Sequence, residues 1–418
     1  MHLLTKYFIK TIGFLIVIIS PVFSQQGSLA QYIHQAQENN PEIIQAYNQW
    51  QSAEAAIAVA KGLPNPTFSF GYFLENVETA AGPQEYKIGL MQKFPFLGKR
   101  KFQGKIQAAK AEKAYYTFQK KRLSLNHEIR STWYNYYYLV RITDLTNQNF
   151  DLIQNWDNVI RSKYVTAQAG HPDLIKTQIE LIQLEDELST LENKKAPLLE
   201  QFRNLLNDKE LSNITVPDSL NYSQNDMDPS DLLAEILEGS PDLLLANSEI
   251  DLRKARVKRS KLNRMPDIGV GMEKITTGEK EGSAFSGKDP LVAKLSLDIP
   301  LWFRKNNASI ASANFALVGA ERQVSSVEND LKTQFENVLF DIAESTRQIE
   351  LYKHILIPKG LESLGATEIA YRADKIEFLS LVDAQRRLLQ FQMKYEKALV
   401  DYLKAKSKLS ILTGEGLS

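Results

Sequence analysis

Thr67-Phe68-Ser69-Phe70-Gly71-Tyr72-Phe73-Leu74 alternates bulky apolar residues with small or polar ones. That period of two puts Phe68, Phe70, Tyr72 and Leu74 on one face of a strand and Thr67, Ser69 and Gly71 on the other. The stretch from Tyr86 to Phe94 repeats the pattern, with Tyr86, Ile88, Leu90 and Phe94 opposing Lys87, Gly89 and Lys93. Further on, Ile268, Val270 and Met272 oppose Gly269, Gly271 and Glu273, and Leu291, Ala293, Leu295, Leu297 and Ile299 oppose Lys294, Ser296 and Asp298. Each segment is close to the roughly 9–11 residues of a tilted membrane strand. A half-buried soluble hairpin would alternate in the same way. The connecting loops are expected over Glu75 to Glu85 and Ile275 to Asp289. A lone hairpin is marginal in water, so these strands need partners, most simply from other copies of the chain.

Working outward, the strands belong to a repeated unit. Asn40-Pro41-Glu42 returns as Ser240-Pro241-Asp242 and Pro66 as Pro266, both 200 residues on. Pro95 returns as Pro300, 205 on, and Tyr164 and Gln178 as Tyr371 and Gln385, 207 on. One unit used twice explains the drift as small insertions. Each unit reads helix, strand, strand, very long helix, long helix. In the first, Ser28 caps a helix running toward Lys61, and in the second a helix runs from Asp231 to about Asn263. No proline falls between Pro95 and Pro172, so one helix of about 70 residues, on the order of 100 Å, is expected there. Pro197 should kink the returning helix. In the last helix Leu381, Leu388, Tyr395, Tyr402 and Leu409 form one heptad column. Ala384, Phe391, Ala398, Ala405 and Leu412 form the next, which predicts coiled-coil packing.

The expected organisation is a signal peptide over 1–24, a first unit over 25–207, a polar linker over 208–230 and a second unit over 231–414. The hairpins fall at 67–94 and 267–299, and the helical hairpins at 99–206 and 304–412. Lys6 and Lys10 ahead of the apolar run Ile12 to Ile19 mark the export signal. No later run has the roughly 20 apolar residues of a membrane helix.

Composition removes most chemistry. The 418 residues hold 50 basic and 50 acidic side chains, without the basic excess of a nucleic-acid binder. Zero cysteines exclude disulfides, thiolate metal sites and cysteine nucleophiles. His34, His127, His171 and His354 show no paired spacing for a metal, and phosphate-binding, dinucleotide and serine-hydrolase motifs are missing. Glu185-Asp186-Glu187 reads as a solvated face, and Trp133 with Tyr134, Tyr136, Tyr137 and Tyr138 as packing between helices. The expectation is therefore a protein that is not an enzyme and carries no cofactor.

The order and duplication of these elements resemble the TolC-type outer-membrane efflux factor family. Asn40-Pro41-Glu42, Leu63-Pro64-Asn65-Pro66-Thr67 and Phe94-Pro95-Phe96-Leu97-Gly98-Lys99-Arg100 carry the resemblance, which extends from about Ser28 to Gly414. Pro95-x-x-Gly98-Lys99-Arg100 is similar to the heavy-metal branch. The resemblance implies an α+β membrane protein: a homotrimer whose 12-stranded β-barrel, four strands per chain, continues into an α-helical coiled-coil tunnel. It implies an outer-membrane location extending into the periplasm, an inner-membrane efflux pump and a periplasmic adaptor as partners, and passive conduction of metal cations or drugs. The alternatives are a periplasmic coiled-coil adaptor and an exported helical scaffold. Family likeness transfers adaptor docking to the helical tips, Gly170, His171, Pro172 and Asp173 in one unit and Arg372, Asp374 and Lys375 in the other. Arg372, Asp374 and Glu377 are the gate candidates. The second tip lacks Gly and Pro, so its turn is expected to be less sharply set.

Overall fold

The computed structural model describes residues 28–166, 170–223 and 228–414; the expected signal peptide lies outside them, as do residues 224–227 of the expected linker. The first helix, α1 (Leu29–Asn39), starts at a capping box in which Ser28 and Gln31 exchange side-chain and backbone hydrogen bonds. It stops one residue before Pro41, where α2 (Pro41–Lys61) begins. The expected single helix from Ser28 to Lys61 is thus two. Proline disfavours helical backbone in the residue before it, and Asn40 is extended (φ −66°, ψ 122°). Asn40 Oδ1 then accepts from the Glu42 and Ile43 amides, an N-cap with proline in the first helical position.

Strands β1 (Thr67–Thr79) and β2 (Gly82–Phe94) follow, both longer than their apolar alternation. The expected Glu75–Glu85 loop is mostly strand, because the ladder continues past the apolar band with a register shift between Tyr72 and Val77. Gly82 (φ +121°) closes the turn; a Cβ there would sit 1.9 Å from the Gly278 carbonyl oxygen. Next comes α3 (Lys99–Val165), 67 residues without a break. It returns as α4 (His171–Asn193) and α5 (Lys195–Leu206), which meet at Lys194, three residues ahead of Pro197.

The second half repeats this order with α6 (Pro229–Gly239), α7 (Pro241–Leu262), β3 (Asp267–Thr277), β4 (Leu291–Asp298) and α8 (Phe303–Leu351). Here too the expected single first helix divides before a proline, at Ser240. After α8 a π-helical turn, Tyr352–Leu356, leads into α9 (Ile357–Arg372). The sequence reading ran this helix unbroken. Pro358 has no amide proton and its ring crowds the carbonyl four residues back, so regular α-helix cannot pass through it. The last element is α10 (Phe378–Thr413).

The four strands form one antiparallel sheet in the order β1-β2-β3-β4. The two hairpins therefore find each other within the chain, Phe94 opposite Ile268 and Leu90 opposite Met272, rather than relying wholly on other copies. Only the outer edges of β1 and β4 are unpaired in the sheet. Away from the sheet, the helices bury an apolar core. Trp133 and Tyr137 of α3 pack with Tyr32, Phe202 and Ile214, while Leu331, Phe335 and Val338 of α8 pack with Leu412. Ile349, Ala398 and Tyr402 join α8 to α10 on the expected heptad columns. The segment after α5 is held against this core: Trp133 Nε1 donates to the Thr215 carbonyl at 3.0 Å and Tyr136 Oη to Asn213 Oδ1 at 2.7 Å.

Candidate functional site

The sheet is apolar on one face and charged on the other. Row by row, Phe68 lies beside Leu90, Met272 and Ala293; Phe70 beside Ile88; and Val270 beside Leu295. These side chains are open to the outside, Phe70 at 62% and Leu295 at 72% of full exposure. Lys274 shares the face only at the loop end, where it pairs with Asp289 at 3.0 Å. On the opposite face Glu273 pairs with Lys294, and Lys93 with Asp298 at 3.1 Å. Small residues make room there: a Cβ on Gly89 would come within 2.6 Å of Ser69 Oγ. A soluble sheet would turn its apolar face inward. This one presents apolar side chains to its surroundings and keeps ion pairs on its other face, the pattern of a barrel wall between lipid and water.

A buried clamp joins sheet to helix. Lys99, 7% exposed, donates from Nζ to Asp267 Oδ1 at 2.6 Å and to the Met265 carbonyl at 2.9 Å. Asp267 also accepts the Phe96 amide at 2.7 Å. Lys99 opens α3 of the first half and Asp267 opens β3 of the second, so the contact locks the two halves where strands become helices. Sequence reasoning noted Lys99 only as part of a motif. The available signal was Asp267 standing where the first half has Thr67.

The far end of the helices brings the two predicted tips together. Gly170 caps α4, His171 and Pro172 occupy its first positions, and Asp173 lies in its first turn. The His171 ring lies 5.6 Å from the Tyr164 ring. Lys163, at the end of α3, reaches across to Asp374 Oδ1 at 3.1 Å and lies 4.8 Å above the Tyr371 ring. Burial pushes the Tyr371 phenol up, against the pull of Lys163. Beneath them Ile160, Phe378, Leu381 and Val382 pack into a small core with Trp156 and Leu174. Arg372 pairs along its own helix with Glu368 at 2.6 Å, and Glu377 caps α10 without a side-chain hydrogen bond.

The second tip is sharply set although it lacks glycine and proline, contrary to expectation. Asp374 takes the left-handed conformation (φ +54°); the Lys375 amide closes on the Ala370 carbonyl and the Asp374 amide on Tyr371, each at 3.0 Å. This is a Schellman closure with aspartate doing what glycine usually does.

Two further ties were missed in the sequence. Buried Glu180 of α4 takes a two-pronged ion pair from Arg386 of α10, with Nε to Oε1 at 2.9 Å. Higher up, Tyr137 donates to buried Glu396 at 3.0 Å, and its own phenol is pushed far up by burial and by that carboxylate. Their spacing of over 200 residues hides both pairs from any local pattern. Among the described residues no cluster of three His, Asp or Glu could hold a metal ion, and no helix is long and apolar enough to cross a membrane.

The family model described as outer membrane efflux protein matches residues 232–415. The chain is 21% identical over 300 residues to an uncharacterised protein of Haemophilus influenzae, covering 67% of this chain and 65% of that protein. It is 23% identical over 184 residues to the cobalt-zinc-cadmium resistance protein CzcC of Cupriavidus metallidurans, covering 44% of this chain and 42% of CzcC. The chain thus spans less than two thirds of the length of the curated relatives it matches. Among solved structures, the outer membrane protein VceC of Vibrio cholerae superposes with a TM-score of 0.76 at 13% identity, over 93% of this chain and 97% of VceC. The α+β fold is therefore that of VceC, and residues 232–415, the second half of the chain, match the outer membrane efflux protein family model.

Proposed function

We propose that the chain forms the outer-membrane channel of a tripartite efflux system, conducting substrate passively from an inner-membrane pump and a periplasmic adaptor to the exterior. The observation that carries this reading is the inside-out sheet, with two open edges, at one end of a helix about 100 Å long. Unpaired strand edges cannot remain in lipid, so the sheet must close. Three copies supply twelve strands, an even-numbered barrel of ordinary size. The helices then line a tunnel into the periplasm. The two tandem units, 25–207 and 231–414, joined by 208–230, give each copy two near-equivalent parts of the wall, and the segment over 1–24 directs export. A periplasmic adaptor or an exported scaffold would have no use for a sheet apolar on its outer face.

In this reading Gly170, His171, Pro172, Asp173, Arg372, Asp374 and Lys375 meet the adaptor, and Arg372, Asp374 and Glu377 border the closed end. Membrane extraction tests the location: the channel stays in the outer membrane after carbonate washing, whereas release would mean an adaptor or a scaffold. Cysteines at Asp173 or Asp374 should crosslink to the adaptor, and cysteines near Gly82 or Gly282 should not. For cargo, the likeness to CzcC favours divalent metal cations over drugs. A deletion strain should become sensitive to cobalt, zinc or cadmium; sensitivity to drugs alone would reverse that choice.

A further inference from the structure

The internal repeat makes a residue-level statement about the wall between copies. Within the chain, β2 of the first unit pairs with β3 of the second, Phe94 opposite Ile268. The prolines place β4 in the second unit where β2 stands in the first, Pro300 for Pro95, and β1 where β3 stands, Pro66 for Pro266. We propose that β4 of one copy pairs with β1 of the next in the equivalent register, Ile299 opposite Phe68, Leu297 opposite Phe70 and Leu295 opposite Tyr72. This rests on the trimeric channel reading above and adds to it which residues meet.

Three observations support that register. First, all six side chains are exposed, from 53% for Leu297 to 72% for Leu295, and all lie on the apolar face. A slip by one residue would carry one strand's apolar row to the charged side. Second, small residues meet on the other face. Ser296 falls opposite Gly71, as Met91 falls opposite Gly271 within the chain.

The third is closure. The two hairpins are offset by two residues, since Thr67 pairs with Met91 but Asp267 with Asp298. Tracing equivalence through the hairpins would therefore put Ile299 opposite Phe70. Followed round three copies, the proposed register advances about 18 residues, and strands about 4.8 Å apart rising about 3.3 Å per residue then tilt by about 46°. The register traced through the hairpins advances about 24 residues and tilts the strands by about 54°, outside the range of roughly 35–45° for membrane barrels by a wide margin. A slip of two the other way gives about 35°, but nothing in the repeat produces it.

The native chain has no cysteine, so introduced thiols report alone. The pairs Leu295→Cys with Tyr72→Cys and Leu297→Cys with Phe70→Cys are oxidised in the full-length protein in native membranes. Pairs shifted by two residues, Leu297→Cys with Tyr72→Cys and Ala293→Cys with Tyr72→Cys, serve as comparison. Directly opposite residues lie within disulfide reach, and residues shifted by two lie about 7–8 Å apart. At least one in-register pair should link copies several-fold faster than either shifted pair. A shifted pair that links as fast overturns the register, as does a trimer in which no pair links. A wild-type protein that is monomeric in mild detergent overturns the channel reading itself. Cryo-electron microscopy of the unmutated protein reads the same register directly for any variant that fails to assemble, with Leu295 opposite Tyr72 as the supporting result and any other partner as the contrary one.

Discussion

Phe70 and Phe335 are the same residue type in opposite circumstances. Phe70, in β1, is 62% exposed on a sheet whose Glu273–Lys294 and Lys93–Asp298 ion pairs sit on the reverse face; Phe335, in α8, is 2% exposed inside a helical bundle. In the proposed channel one chain obeys two solvents: the helices hide apolar surface from water, and the sheet offers it to lipid. A single fold that does both must cross from one medium to the other, and the crossing lies at the Lys99–Asp267 clamp, where strands turn into helices.

Substitutions that act differently on the two regions break or sharpen this contrast. The largest effect is expected in the bundle. Phe335→Ala removes a fully packed ring and should cost about 3–5 kcal/mol, read as a lower midpoint in denaturant. Phe70→Ala should barely move that midpoint, since lipid still covers the site. Next, Phe70→Arg and Leu295→Arg place a charge in hydrocarbon at about 2–4 kcal/mol per copy and should reduce assembled protein in the outer membrane. Ser69→Arg and Ser296→Arg, on the charged face, should be tolerated better. Equal damage from both sets would break the assignment of faces.

At the crossing, Asp267→Ala strands a buried ammonium and an amide and should cost about 1.5–3 kcal/mol. Asp298→Ala removes a pair whose side chains are 53% and 60% exposed, and thermal melting should be nearly unchanged. The smallest effect on stability belongs to the tip. Asp374→Asn keeps a residue suited to the left-handed turn but removes the charge facing Lys163, at about 0–1 kcal/mol. If Asp374 helps hold the narrow end closed, conductance in planar bilayers or cell sensitivity to vancomycin should rise. Wild-type values for both, with normal trimers, would remove Asp374 from the gate.

Much of this contrast is readable in the residues. The alternation from Thr67 to Leu74 and the heptads from Leu381 to Leu412 are local, repetitive signals, and the structure honours both. The strand ends were obscured because Glu75, Asn76 and Glu78 break the apolar alternation while the backbone ladder continues to Thr79. The divisions at Asn40 and Ser240 lay in the prolines that follow them directly, and the one at Tyr352 in Pro358 six residues on, signals that amphipathic periodicity overrode. What no pattern carries is contact at a distance. Lys99 with Asp267, Glu180 with Arg386 and Lys163 with Asp374 lie 168, 206 and 211 residues apart. Such pairs become visible only when the helices are laid side by side. The joining of the two tips through Lys163 was likewise not legible, because nothing in Arg161-Ser162-Lys163 marks one of its charges for a partner on a distant helix.

The central claim, that the sheet is part of a closed wall shared between copies, meets its most direct test in the mass of the wild-type protein. Extracted from the outer membrane in mild detergent and weighed by native mass spectrometry or light scattering, it should have the mass of three chains and keep it on dilution. A stable monomer would contradict the account, because the edges of β1 and β4 would then be unpaired in the membrane.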